Sequence, residues 1–277
     1  RYSCPVSKSI VKSYKNLLNN PKNQLLIYEM YRKKSTFSPV IPASSLKGAI
    51  RTALLNREIK NGNVNKNYKM IKKSQIRREE KQLQQDLFDY TNPKNDPFKF
   101  LRLTDCLIKG KKNQLIADGV IYKKVKTGGY ENLSIKMLFE VINGMNTGGD
   151  SYGGCELITK KNNNISEYVI DMEKIIQSCN DFFKNNFDNE YNKFYLSSDN
   201  DVLKKTIDYL KEEIDNIKPN SFLVRVGRFS QIENVTLDEP YRAPWNQKGY
   251  GNSRTHITSE GIQTPLGWIK VDVQQKQ

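Results

Sequence analysis

Residues 41–51 read IPASSLKGAIR, and the fold is decided by how this stretch is read. Leu46, Ala49, Ile50, Ala53 and Leu54 fall at i, i+3, i+4, i+7 and i+8. That is the apolar stripe of a helix lying on a core. Ser44 or Ser45, following Pro42, is the expected N-cap. Gly48 is out of place, since glycine inside a helix costs roughly 1 kcal/mol relative to alanine. Lys47 and Arg51 stand one turn apart on the same side, with Gly48 between them. Unpaired N–H groups and the positive macrodipole make a helix start a place for an anion. Ser44, Ser45, Lys47, Gly48 and Arg51 together therefore form a candidate cradle for a phosphate backbone. The alternative is an ordinary capped helix with two solvated charges.

Outward from this helix, strands and helices interleave. LLIYEMY (25–31) reads as a strand that runs into the basic turn RKKSTFSP. Residues 57–82 are polar, with Lys72, Lys73, Arg77 and Arg78 near their end, and read as a partly helical basic insertion extending to about residue 97. FKFLRLTDCLI is a strand, IADGVIYKKV one arm of a hairpin and LSIKMLFEVI (133–142) another strand. GMNTGGDSYGG is too rich in glycine for an element and reads as a loop. Met172, Ile175, Ile176, Cys179, Phe182 and Phe183 mark a core-facing helix over 166–183. Leu203, Ile207, Leu210, Ile214 and Ile217 mark a second over 201–217. FLVRV (222–226) and LGWIKV return the chain to strand. The expected class is α+β, ferredoxin-like or RRM-like, rather than a doubly wound parallel sheet. Two modules are expected, over 1–160 and 161–277.

Charge narrows the function. Lys and Arg number 45 against 30 Asp and Glu, a net charge of +15. Such an excess suits a polyanionic partner, either nucleic acid or an acidic membrane surface. No apolar run reaches the roughly 20 residues that cross a bilayer, so a cytoplasmic protein with reduced cysteines is expected. Cys4, Cys106, Cys155 and Cys179 are far apart in sequence, and with one histidine in the chain a zinc site is not expected. Neither a phosphate-binding loop for ATP nor a dinucleotide fingerprint is present, so no cofactor is expected.

A second candidate site lies near the C-terminus. In FLVRVGR, alternation sets Phe222, Val224 and Val226 on one face and Leu223 and Arg225 on the other, before Gly227 and Arg228 open a loop. YRAPWNQKGYGNSRTH then interleaves Arg242, Lys248 and Arg254 with Tyr241, Trp245 and Tyr250. Cations for phosphates and aromatic faces for bases are what single-stranded RNA recognition requires. His256 is the one candidate general acid or base with an ordinary pKa near neutrality.

IPASSLKGAIR resembles the IPGSSLKGAIR-type motif of the RAMP superfamily, the RNA-binding proteins of CRISPR systems, with Ala43 where glycine usually stands. FLVRVGRFSQ resembles the family's C-terminal glycine-containing loop, and SRTHITSEGIQTPLGWIKV its closing segment. The order of these pieces is similar to one subgroup, the fifth subunit of the type III-A (Csm) effector. The resemblance implies a non-catalytic subunit at the head of that complex. Such a subunit holds the 3′ part of the CRISPR RNA, lies close to target RNA, contacts the repeated backbone subunit and supports guide maturation. Ser45, Lys47 and Arg51 would then face RNA or the adjoining subunit, and Gly227 and Arg228 would line the RNA path. The rival expectation is a metal-independent RAMP endoribonuclease that uses His256 on precursor CRISPR RNA. A third is an assembly surface whose basic residues meet acidic proteins.

Overall fold

The computed structural model describes residues 4–18, 26–63, 76–110, 113–124, 130–144, 151–159, 168–238, 251–259 and 261–275. Its helices are α1 (Lys8–Leu17), α2 (Ala43–Lys60), α3 (Ile76–Leu87), α4 (Met172–Glu190) and α5 (Asp201–Asp215). Its strands are β1 (Ile27–Tyr28), β2 (Val40–Ile41), β3 (Leu101–Leu103), β4 (Cys106–Lys109), β5 (Gln114–Lys124) and β6 (Tyr130–Ile142). They continue with β7 (Tyr152–Gly154), β8 (Leu157–Thr159), β9 (Ser221–Arg225), β10 (Ser253–Ser259), β11 (Ile262–Pro265) and β12 (Trp268–Asp272). The class is α+β, as the interleaved pattern predicts.

The largest sheet has the order β1-β6-β5-β10-β11. The long antiparallel hairpin β5–β6 is its spine, with a register shift between Gly119 and Ile121. β10 runs antiparallel along the other side of β5, from Ser253↔Lys123 to Thr258↔Asp118. Smaller pairings are β2-β4-β7, β3-β8 and β9-β12.

The apolar stripes are where their spacing puts them. Leu46, Ala49, Ile50, Ala53 and Leu54 of α2 are buried in one cluster with Ile175, Cys179, Phe182 and Phe183 of α4, Leu203, Ile207 and Ile214 of α5, and Phe222–Val224 of β9. α4 is capped by Asp171, which accepts from the Lys174 amide, and α5 by Asn200, which accepts from Leu203. A smaller cluster joins Leu115, Ala117, Phe139 and Ile257 under the large sheet.

Four features depart from the sequence reading. The strand expected over 25–31 is only Ile27–Tyr28 within the described residues. The basic insertion read as extending to about residue 97 also carries core residues: Leu83 and Leu87 of α3, and Phe88 just after it, join the main cluster. The glycine-rich stretch read as loop contains β7, and Gly153 explains why. A Cβ there would lie 2.5 Å from Cys106 Sγ on the facing strand, so only glycine lets the strands close. Finally, β1, β5 and β6 share their sheet with β10 and β11, and α2 shares its core with α4 and α5. A boundary at residue 160 therefore cuts through both a sheet and the main core. Lys72 and Lys73 lie outside the described residues.

Candidate nucleic-acid interface

α2 begins at Ala43, one residue before the expected serine caps. Its N-cap is Pro42, with no side-chain cap from within the segment. Ser44 and Ser45 are already inside the first turn. The free N–H of Ala43 is instead satisfied from a distance, by Asp105 Oδ1 at 2.8 Å in the break between β3 and β4. The anion at this helix start is thus the chain's own carboxylate, which answers the macrodipole. The two cations also turn inward. Lys47 Nζ donates to the Leu101 carbonyl at 2.7 Å, and burial, helped by the Arg51 charge, lowers its pKa despite Asp96 nearby. Arg51 donates to Gln84 Oε1, Asp96 Oδ2 and Tyr90 Oη at 2.8, 2.9 and 3.1 Å, with its guanidinium 4.5 Å from the Phe98 ring centre. The expected phosphate cradle is therefore already filled by the fold's own partners. Gly48 differs: it is exposed, and a Cβ built on it would meet nothing within 4 Å. No contact inside the described chain requires glycine there.

The C-terminal constellation is also drawn inside. Arg225 is 1% exposed and Arg254 3%, so neither lines a groove that RNA could reach, contrary to expectation. β9 is buried along its whole length, with α4 and α2 as well as β12 packed against it. Arg225 Nη1 meets Glu190 Oε2 at 2.6 Å, and Arg254 Nε meets the same oxygen at 2.9 Å. Tyr195 donates to Glu190 Oε1 at 2.7 Å. Arg225 also lies 4.8 Å from the Trp268 ring and Arg254 4.1 Å from Phe194. Burial alone would raise the Glu190 pKa, yet the two guanidiniums and the Tyr195 and Arg225 hydrogen bonds hold it down to about 2. A π-turn over Tyr191–Tyr195 at the end of α4 aims Tyr195 into this cluster. His256 completes it, 3.0 Å from Tyr195 Oη and 3.4 Å from Gln263. Burial, reinforced by Arg225 and Arg254 against Glu190, pushes its pKa down to about 3. It is a neutral, enclosed imidazole.

What remains at the surface is a strip along β1 and the turn after it. Gly227, with φ +97°, reverses the chain so that Arg228 stands 4.3 Å over the exposed Tyr28 ring. Tyr28 stacks on Phe139 at 5.4 Å, and Phe229 meets Phe139 edge-on at 5.0 Å. Three residues further along, Tyr31, Lys33 and Lys34 line an open cleft with Asp105, Cys155 and Glu156. Among the described residues, neither lysine has an ion-pair partner. Arg32, between them and β1, pins the turn to Glu140 and Gln114. Sequence reading names this turn as basic without assigning it a role; its position beside Tyr28 and Arg228 appears only in three dimensions. Arg242, Trp245 and Lys248 lie outside the described residues.

The sequence model of the RAMP superfamily matches residues 24–251. The chain belongs to the RAMP superfamily. That match embraces α2, the β5–β6 hairpin and the Gly227–Arg228 turn, as well as residues 28–34 of the exposed strip. Among solved structures, this RAMP chain is similar to one in a Csm–crRNA–target RNA ternary complex of a type III-A CRISPR-Cas system. The TM-score is 0.58 at 15% identity, over 91% of this chain and 77% of that one. It is also similar to T. onnurineus Csm5, with a TM-score of 0.51 at 17% identity, over 94% and 87% of the two chains. At these identities the likeness is one of fold. No curated protein matches the sequence. No helix among the described residues is long and apolar enough to cross a membrane.

Proposed function

We propose that this RAMP chain is a CRISPR RNA-holding subunit of a type III-A effector, the counterpart of Csm5, with no catalytic centre of its own. It caps the guide's 3′ end, supports guide maturation and packs against the repeated backbone subunit. The observation that carries the RNA-holding part is the exposed strip Arg228–Tyr28–Tyr31–Lys33–Lys34, in which Tyr28 to Lys34 are one continuous stretch of chain. It offers Lys33 and Lys34, without ion-pair partners among the described residues, and Arg228 over an aromatic face, the combination that tracks a single strand without reading its sequence. The α2 start suits a different neighbour. Its charges are already engaged while Gly48 leaves open room, so a partner subunit's backbone fits there better than phosphate does.

The endoribonuclease reading is disfavoured by His256, 1% exposed and unprotonated until about pH 3, which gives RNA no acid or base to meet. The test is a titration of labelled single-stranded guide RNA over a salt series. Replacing Lys33, Lys34 and Arg228 together with alanine should weaken binding and reduce the log–log salt slope by about 2, at about 0.7 per phosphate. Unchanged affinity and slope in that variant would reject this surface as the RNA path.

A further inference from the structure

Cys106 and Cys155 are separated in sequence by the whole β5–β6 hairpin, yet the fold sets them face to face. Leu107↔Gly154 and Ile108↔Gly153 are register partners of β4 and β7, so Cys106 and Cys155 occupy the next opposed position. The two thiols lie close enough for each to shift the other's ionisation. Gly153 leaves the space that the Cys106 sulfur fills. Cys106 is buried, whereas Cys155 is half-buried on the wall of the cleft that holds Lys33 and Lys34. One sulfur is thus reachable from solvent and the other waits behind it. Both thiols are free in this structure.

We infer that Cys106 and Cys155 form a reversible disulfide, with Cys155 as the attacking thiol and Cys106 as the resolving one. The reaction partner is a low-molecular-weight disulfide such as oxidised glutathione. The Cys155 thiolate attacks one sulfur of that disulfide, and its S–S bond breaks to release one thiolate. Cys106 then loses its proton and attacks the Cys155 sulfur of the mixed disulfide, releasing the second thiolate. The protein gives up two electrons and two protons, which leave on the two small thiols.

The local chemistry favours this order. The neighbouring Cys106 thiol outweighs burial and brings the Cys155 pKa down to about 7, while Cys155 and burial push Cys106 up. Burial also pushes Cys4 and Cys179 up, so neither competes as a nucleophile. The inference is independent of the RNA-holding role, and its test uses neither RNA nor a partner subunit.

The full chain is equilibrated at neutral pH in a series of reduced and oxidised glutathione, acid-quenched, alkylated and read by intact and peptide mass spectrometry. On the oxidising side the protein should lose two hydrogen atoms and yield one peptide pair joining Cys106 to Cys155, reversed by dithiothreitol. The crosslinked form should unfold at a higher urea concentration than the reduced form. Cys106→Ser should trap Cys155 as its glutathione adduct, and Cys155→Ser should leave Cys106 unmodified. Should either variant fail to fold, the parent protein alone decides. Full alkylation of both cysteines throughout the series, a stable glutathione adduct on the parent, or a crosslink through Cys4 would each overturn the assignment.

Discussion

At the scale of single residues, the decisive group is Glu190, which one oxygen binds to both Arg225 and Arg254 and the other to Tyr195. Removing one partner of a buried ion pair leaves a charge without compensation, at a cost of about 3–5 kcal/mol. Arg225→Ala should therefore lower the unfolding free energy by that order, measured by urea denaturation, although an RNA contact was expected of this residue. His256 makes the same cluster sensitive to acid. Its folded pKa of about 3 lies below the ordinary 6.5, so between these values the unfolded chain binds a proton that the folded chain refuses. Stability from this residue is complete above about pH 6.5 and falls by about 1.4 kcal/mol per pH unit below it. Glu190, held down to about 2, adds a loss of the same sign only below its ordinary 4.5. Urea midpoints between pH 7 and 5 should slope downward in the parent and less so in His256→Gln. Equal slopes would mean that His256 is not the group responsible. None of this was legible in SRTHITS, because the partners of His256 from outside that stretch include residues of α4, its π-turn, β9 and β11.

At the scale of elements, α2 separates what sequence periodicity can and cannot tell. The stripe Leu46, Ala49, Ile50, Ala53 and Leu54 is fully legible, since burial of one helix face depends only on spacing within that helix. The opposite face is not legible in the same way. Arg51 meets Gln84, Tyr90 and Asp96, more than thirty residues later, and spacing in α2 carries no sign of them. The cap provided by Asp105 comes from farther still along the chain. Gly48 alone keeps its puzzle, and it yields a prediction with two parts. Gly48→Ala should stabilise the free protein by up to about 1 kcal/mol, because the helix gains propensity and the new methyl meets nothing. Gly48→Leu should leave the free protein folded but reduce co-purification with the adjoining backbone subunit. Undiminished co-purification would mean that no neighbour fills the gap. β7 makes the converse point: its glycines read as loop, and the Cys106 sulfur and Ile108 side chain on the facing strand explain why a strand needs one of them.

At the scale of the whole molecule, the chain is woven across its midpoint. β5 lies between β6, from before residue 160, and β10, from after it. The main core closes α2 against α4 and β9 in the same way. The interleaved sequence pattern revealed the α+β class but not this exchange, since strand periodicity names a buried face and not a partner strand. The proposed RNA strip is shared likewise, with Arg228 of the second half resting on Tyr28 of the first. Fragments 1–160 and 161–277 produced separately should each fail to unfold cooperatively, because one exposes the edge of β5 and the other the apolar face of α4. Co-expressed, they should co-purify as a complex and recover the salt-dependent RNA binding of the intact chain. A half that folds alone and retains the full salt slope would show that the strip belongs to one module, and the pairing of Arg228 with Tyr28 would then have no part in holding RNA.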